Sequence, residues 1–247
     1  MKEFILRYDL VILSSEQYLS KDLPLEHRII QPSIDPLTSK NEPLSHNTVA
    51  RILKKYNVPL NKPLVTQISR FDKWKDPFGV YQIFQKVHAE VDCRLVLCGS
   101  MASDDPEGIE IFAKIQRAAA RDIQKGDVIL LAVDSNVLVN ALQRASAVII
   151  QKSLREGFGL TVTEAMWKER PVIASNVGGI PLQIENEVNG FLCEKDDIDA
   201  FAAKVIEILE NPGIGVEIGR NAKETVRNKF LITRSLINYL NVLNEFR

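Results

Sequence analysis

From Lys62 onward the chain alternates short, almost wholly apolar runs with longer segments whose apolar residues recur at helical spacing. The runs are Leu64–Ile68, Arg94–Cys98, Val128–Val133, Ala147–Ile150, Pro171–Ala174 and Gly190–Cys193. Stretches such as Leu95-Val96-Leu97-Cys98 and Val128-Ile129-Leu130-Leu131 are apolar at consecutive positions, as a strand covered on both faces requires. Helices are expected at about Pro77–Glu90, Glu107–Gln124, Ser135–Arg144, Leu160–Lys168, Ile180–Glu185 and Ile198–Glu210. Strand and helix in strict alternation predict an α/β fold, a doubly wound, Rossmann-like parallel sheet. Ligands of such sheets bind at the carboxyl ends of the strands, where Arg70, Gly99, Asp134 and Glu156 fall.

The two ends read differently. Tyr8–Ser14 has the pattern of one more buried strand, followed by a short helical piece and His27–Gln31. Gln31-Pro32-Ser33-Ile34-Asp35-Pro36 and the polar stretch through His46 read as a linker. One strand and one helix cannot bury their own faces, so the first ~40 residues are expected to be the tail of a preceding domain. The last helix, about Thr233–Phe246, is apolar along one face at Leu236, Tyr239, Leu240 and Leu243. The expected organisation is a remnant and linker over 1–45, a nucleotide-sugar-binding domain over 46–230, and a C-terminal helix over 231–247 packing on the remnant. An ordinary domain with a capping strand and helix is the plainer alternative.

Composition narrows the function classes. Of 247 residues, 45% are hydrophobic and 26% charged, which suits a globular protein with a substantial core. A net charge of -1 gives no electrostatic case for nucleic acid or an anionic membrane as partner. Cys93, Cys98 and Cys193 show no metal or disulfide spacing and read as buried, reduced thiols of a cytoplasmic protein. Arg7 and Asp9 interrupt the N-terminal apolar run, against a signal peptide, and no run approaches membrane-spanning length.

The chemistry concentrates in Gln151–Met166. A buried-strand pattern leads into a glycine-containing turn and a helix start, with carboxylates at Glu156 and Glu164, eight residues apart. Glycines let helix-start N–H groups, which lack intrahelical partners, approach oxygens closely. Glu156 in the turn can face a ligand, and Glu164, placed on the first helical turn, can accept hydrogen bonds from ribose hydroxyls. A charged turn stabilised by the helix dipole remains the alternative. Arg70 and Lys75 offer a donor fork and a point charge beyond the first strand, suited to a diphosphate or simply to solvent. Asp104-Asp105 and Asp196-Asp197 precede helices and read as N-caps rather than cation ligands, so no metal and no cofactor are expected.

Several motifs now occur in order. Pro32-Ser33-Ile34-Asp35 resembles an interdomain turn, and Ser69 through Pro77 a phosphate-binding loop. Glu156-Gly157-Phe158-Gly159-Leu160 with Glu164-Ala165 resembles a paired-glutamate signature. Pro171-Val172-Ile173-Ala174, Val177-Gly178-Gly179-Ile180 and Asn189-Gly190-Phe191-Leu192 follow. Together they resemble the C-terminal half of the retaining GT-B glycosyltransferases, the family of glycogen, sucrose and trehalose synthases. Gln151 to Arg155 and Phe71 to Pro77 resemble most the branch of trehalose glycosyltransferring synthases and trehalose phosphorylases.

The resemblance implies transfer of glucose, with retention, from a nucleotide diphosphate-glucose to a sugar acceptor, glucose giving trehalose. It implies catalytic roles for Glu156, Arg70 and Lys75. It places the donor on Arg70, Lys75, the backbone near Val133, Gly157, Phe158, Gly159 and Leu160, and Glu164. Ala147, Leu138 and Glu169-Arg170 depart from the family pattern, the first two where the base is read. The family's catalytic histidine and acceptor site come from an N-terminal domain, and His27, His46 and His88 match no such motif. A partner chain carrying that domain, or a homo-oligomer, is therefore an expected partner, and little activity is expected of the chain alone. A trehalose phosphorylase and a non-catalytic nucleotide- or protein-binding module with exposed ends (Ile5, Leu6, Leu236, Tyr239, Leu240) are the competing readings. No Gly-x-Gly-x-x-Gly follows a strand, which argues against a dinucleotide-dependent oxidoreductase.

Overall fold

The computed structural model describes residues 2–19, 24–100 and 106–245. The capping role read for Asp104-Asp105, and the last residue of the helix read to Phe246, lie outside them.

The strands are β1 (Leu10–Leu13), β2 (Glu26–Ile29), β3 (Leu64–Ile68), β4 (Arg94–Gly99), β5 (Val128–Ala132), β6 (Val148–Gln151), β7 (Val172–Ser175) and β8 (Phe191–Cys193). The helices are α1 (Lys2–Ile5), α2 (His46–Lys55), α3 (Pro77–His88), α4 (Pro106–Ala118), α5 (Ala120–Lys125), α6 (Asn136–Ala145), α7 (Leu160–Trp167), α8 (Ile198–Glu210), α9 (Pro212–Lys229) and α10 (Ile232–Glu245). Six strands form one parallel sheet in the order β5-β4-β3-β6-β7-β8. The chain reverses direction across the sheet between β3 and β6, so the loops after those two strands splay apart and leave a crevice.

Side-chain alternation assigns the layers. Val65, Leu95, Leu97, Val148, Ile150 and Ile173 face a core shared with Val80, Ile83 and Phe84 of α3 and Phe201 and Val205 of α8. On the other face, Leu64, Ile68, Val96 and Cys98 meet Leu53 of α2 and Leu138 and Leu142 of α6. Ile149, Val172 and Ala174 meet Val162 and Met166 of α7 and Ala222 and Val226 of α9. All three cysteines are free and buried.

Several elements differ from the sequence reading. The helix read over Glu107–Gln124 is two, α4 and α5, with Ala119 between them, and the one read at Ile180–Glu185 is a single 3₁₀ turn, Ile180–Leu182. The segment after the linker forms α2, with Ser45 capping it by accepting from the Thr48 amide at 3.2 Å. α9 is unmarked in the sequence because Pro212, Gly213, Gly215 and Gly219 depress helix propensity. Packing requires one of them, since a Cβ on Gly219 would lie 2.2 Å from the Glu169 carbonyl.

β1 and β2 pair only with each other, in parallel, and β1 is half-buried rather than buried. The C-terminal helix returns to this segment. The Ile34 amide donates to Phe230 O at 2.9 Å, Ser33 and Ser235 hydroxyls bond at 2.8 Å, and Arg28 pairs with Glu245 at 2.6 Å. The outer face of α10 leaves Leu236, Tyr239, Leu240 and Leu243 exposed, as is Leu6, while Ile5 is half-buried. No described helix is long and apolar enough to cross a membrane.

Candidate functional site

The crevice is walled by the loops after β3 and β6. The first carries Arg70, Asp72 and Lys75. Asp72 caps a 3₁₀ turn by accepting from the Trp74 and Lys75 amides at 2.9 and 3.0 Å, which orients Lys75. Asp76 follows with φ 39 and caps α3, its carboxylate paired with the almost fully buried Lys152. A buried glutamine ties the two loops together. Gln67, inside β3, donates to Lys75 O at 2.7 Å and accepts from the Lys152 amide at 2.9 Å.

Glu156 is the hub. Its Oε2 lies 2.5 Å from Lys75 Nζ and 3.3 Å from Ser153 Oγ, and its Oε1 accepts from the Gly157 amide at 3.1 Å. Both partners of the ion pair are largely shielded, with side chains 17% and 10% exposed. Arg70 is 62% exposed and meets Asp72 at 3.0 Å, free to swing into the crevice.

The turn Gly157–Leu160 is held by close backbone packing. Gly159 adopts φ 84, a left-handed conformation that suits glycine, and opens α7. Behind it, the Gly179 amide donates to Gly157 O at 2.8 Å. A Cβ on Gly178 would lie 1.8 Å from Glu156 O. Phe158 is buried against Phe230, and Leu160 is exposed at the helix start.

Glu164 is the fifth residue of α7, one position beyond the first turn where the sequence reading put it, and only 4% exposed. Its Oε1 pairs with Lys40 at 2.9 Å, while its buried Oε2 has no hydrogen-bond partner among the described residues. One turn on, the Lys168 ammonium donates to Glu164 O at 3.0 Å and Asn41 Oδ1 at 2.9 Å, and burial pushes its pKa down to about 7. The segment read as a linker thus supplies a wall. Asn140 donates to Ser39 O and Glu42 O, and Arg144 to Asn41 O and Glu42 O. Val133 lies across the crevice, its amide bonded to Gly99 O at 3.0 Å, and Asp134 beside it is exposed.

The structure therefore brings Arg70, Lys75, Glu156, the glycine turn and Glu164 to the carboxyl ends of β3 and β6. It keeps the histidines away: His27 and His46 are exposed, and His88 stacks on Phe84 at 5.0 Å. His88, Asp92 and Asp127 cluster at the opposite end of the sheet, but Lys62 fills the cation position, 2.7 Å from Asp92 and 2.8 Å from Asp127. Sequence reasoning missed Gln67, Lys152 and Lys40. A glutamine inside an apolar strand was the available signal for Gln67; nothing local marked Lys40.

Comparison with known proteins bears on the chain's family and fold. The glycosyl transferases group 1 family matches residues 49–225. The trehalose synthase of Thermococcus litoralis is 43% identical over 251 residues, covering 100% of this chain and 60% of the relative. The chain therefore spans about 60% of the length of that relative. Sucrose-phosphate synthase from Thermosynechococcus elongatus superposes with a TM-score of 0.83 at 24% identity, over 99% of this chain and 60% of the other. The Anabaena HepE protein, solved in complex with UDP and glucose, gives 0.81 at 18% identity, over 98% and 65%.

Proposed function

Because the chain belongs to the glycosyl transferases group 1 family, we propose that its crevice binds a nucleotide diphosphate-glucose and serves transfer of glucose, with retention, to a sugar acceptor. Glucose is the proposed acceptor and trehalose the product, as the trehalose synthases similar to the whole chain suggest. The observation that carries the nucleotide is Glu164 Oε2, a buried acceptor oxygen without a donor among the described residues. Such a group costs about 1–3 kcal/mol, which ribose hydroxyls would recover. Reaching it requires the Lys40 side chain, 32% exposed, to turn aside.

The diphosphate lies against Arg70 and Lys75. In the free protein Lys75 neutralises Glu156; an arriving diphosphate competes for the ammonium and leaves the carboxylate to face the sugar at its anomeric carbon. As the glycosidic bond breaks, Lys75 and Arg70 stabilise charge on the leaving diphosphate, and Glu156 offsets the positive charge developing on the sugar. Backbone N–H groups at the start of α7 hold the distal phosphate or sugar hydroxyls. No metal is required, since the two cations supply the counter-charge. An acceptor wall from residues outside this chain completes the reaction, so the 247-residue chain binds donor but turns over slowly.

Calorimetric titration with UDP, ADP and GDP, and with their glucose conjugates, tests this. Saturable binding lost in Arg70→Ala and Glu164→Ala is the expected result. Inorganic phosphate bound where no nucleotide binds would instead indicate a phosphorylase. Rapid trehalose formation by the chain alone would refute the need for an external acceptor wall.

A further inference from the structure

A cavity of about 790 Å³ lies at the amino ends of the strands. It lies at the other end of the strands from Glu156 and the glycine turn, and the linker carbonyls that Arg144 holds stand between it and Glu164. Its polar lining is Arg144 from the end of α6, Arg170 from the turn before β7, His46 and Asn47 from the start of α2, and Asn61 and Lys62 from the turn before β3. No carboxylate residue lines it.

The charges here are not balanced. Lys62 spends its ammonium on Asp92 and Asp127. The two arginines have no carboxylate within ion-pairing distance among the described residues. Arg144 donates to Asn140 Oδ1 at 2.8 Å and to the carbonyls of Asn41 and Glu42, and Arg170 to the carbonyls of Lys168 and Ser146. Glu169, the adjacent carboxylate, turns outward to Lys223 at 2.7 Å. Each guanidinium is therefore half-buried and oriented by neutral acceptors, and burial lowers the pKa of both.

A third feature converges on the same space. α2, a ten-residue helix, presents its first turn to the cavity with no acidic residue in it. Ser45 caps only the Thr48 amide, which leaves the His46 and Asn47 amides without a hydrogen-bond partner among the described residues. Two guanidinium groups without a direct ion pair among the described residues, with the charge of Glu169 acting on both only at a distance, and a helix start with two spare amides around one cavity form an anion site.

We propose that this cavity is a second binding site, distinct from the donor crevice, for a small phosphate-bearing anion. The phosphate oxygens bridge Arg144 and Arg170, with the start of α2 as the third donor. The amides of Asn47 and Asn61 are placed to meet hydroxyls of whatever the phosphate carries. Residues of this cavity also hold the linker wall, since Arg144 grips the carbonyls next to Lys40.

The test is amide-resolved NMR of the 247-residue chain titrated with inorganic phosphate against chloride at matched ionic strength. Two sites could respond, so resonances of Asn47, Ala50 and Asn61 are followed separately from those of Gly157 and Gly159. Saturable shifts in the first group are expected, persisting in Arg70→Ala, whose donor crevice is impaired. Arg170→Gln is expected to weaken them about tenfold, the loss of one charge-assisted contact. Arg144→Gln also loosens the linker, so His46→Ala with Asn47→Ala serves as the second probe of the cavity. Shifts confined to Gly157 and Gly159, or shifts at Asn47 and Ala50 that survive Arg170→Gln at full strength, would overturn the proposal.

Discussion

Glu156 and Glu164 come from one stretch of sequence, yet their surroundings are opposite. Glu156 is saturated: an ammonium, a hydroxyl and an amide hold its two oxygens, all from loops closing the two central strands. Glu164 is deeper, has one satisfied oxygen and one orphan, and depends on Lys40 from a segment over a hundred positions away. A carboxylate that acts on a reacting centre must be fixed in place before the ligand arrives. One that only grips hydroxyls can wait for its partner. Under the proposed function, Glu156 is the preorganised carboxylate and Glu164 the recognising one.

The largest test of the preorganised half is Gly178→Ala. With φ 55 and a Cβ that would sit 1.8 Å from Glu156 O, the substitution must displace the glycine turn. A loss of about 2–4 kcal/mol in urea unfolding is expected from strain and overpacking together. Wild-type stability would mean that the turn is not pinned by this contact.

Next in size is Lys75→Met, which leaves a largely shielded Glu156 without its counter-charge. A destabilisation of about 2 kcal/mol is expected, with UDP-glucose affinity down at least about tenfold by calorimetry. Adding Glu156→Gln should recover much of the stability but none of the binding, a coupling a double-mutant cycle would measure. Independent effects would break the picture of Glu156 as the partner that Lys75 restrains.

Glu164→Gln should separate the halves in the other direction. It exchanges the unpartnered carboxylate oxygen for an amide NH2 and weakens the Lys40 pair, so unfolding free energy should fall by only about 1 kcal/mol. UDP binding should weaken about tenfold, while pyrophosphate, which has no ribose, should bind as before. Equal weakening of both ligands would remove Glu164 from ribose recognition.

These contrasts also show what could be read from sequence. The six sheet strands were legible because the central ones are covered on both faces, which writes a nearly continuous apolar run. The crevice was legible because ligand-binding loops of such sheets follow the strands, and Gly159 is demanded by its left-handed backbone. α9 was hidden because its glycines lower helix propensity, one of them, Gly219, being required by close packing against Glu169. Lys40, Gln67 and Lys152 were hidden for another reason: their importance comes from long-range partners, and a lysine in a polar loop looks the same whether solvated or ion-paired. The glutamate at position 169, with φ 58 where the family pattern has glycine, was visible as a departure, but only the structure shows the left-handed backbone there.

A last effect, spread over pH, concerns the support beneath Glu164. Burial pushes the pKa of Lys168 down to about 7 from an ordinary value of 10.5. Between those two values the unfolded chain binds the proton that the folded one has released, so stability rises with pH through that window. Below pH 7 both states are protonated and the dependence on this residue vanishes. The three cysteines act the other way: burial raises Cys93 and Cys98 to about 12 and Cys193 to about 11, from 9.0, so above about pH 9 the unfolded chain sheds protons the folded one keeps. Urea unfolding followed from pH 7 to 9 should therefore show a positive slope of at most about 1.4 kcal/mol per pH unit. Lys168→Met should flatten it, and Lys40→Ala, which removes a neighbouring positive charge, should move its onset to higher pH. A slope that survives Lys168→Met would place the titrating group elsewhere and leave Glu164 resting on Lys40 alone.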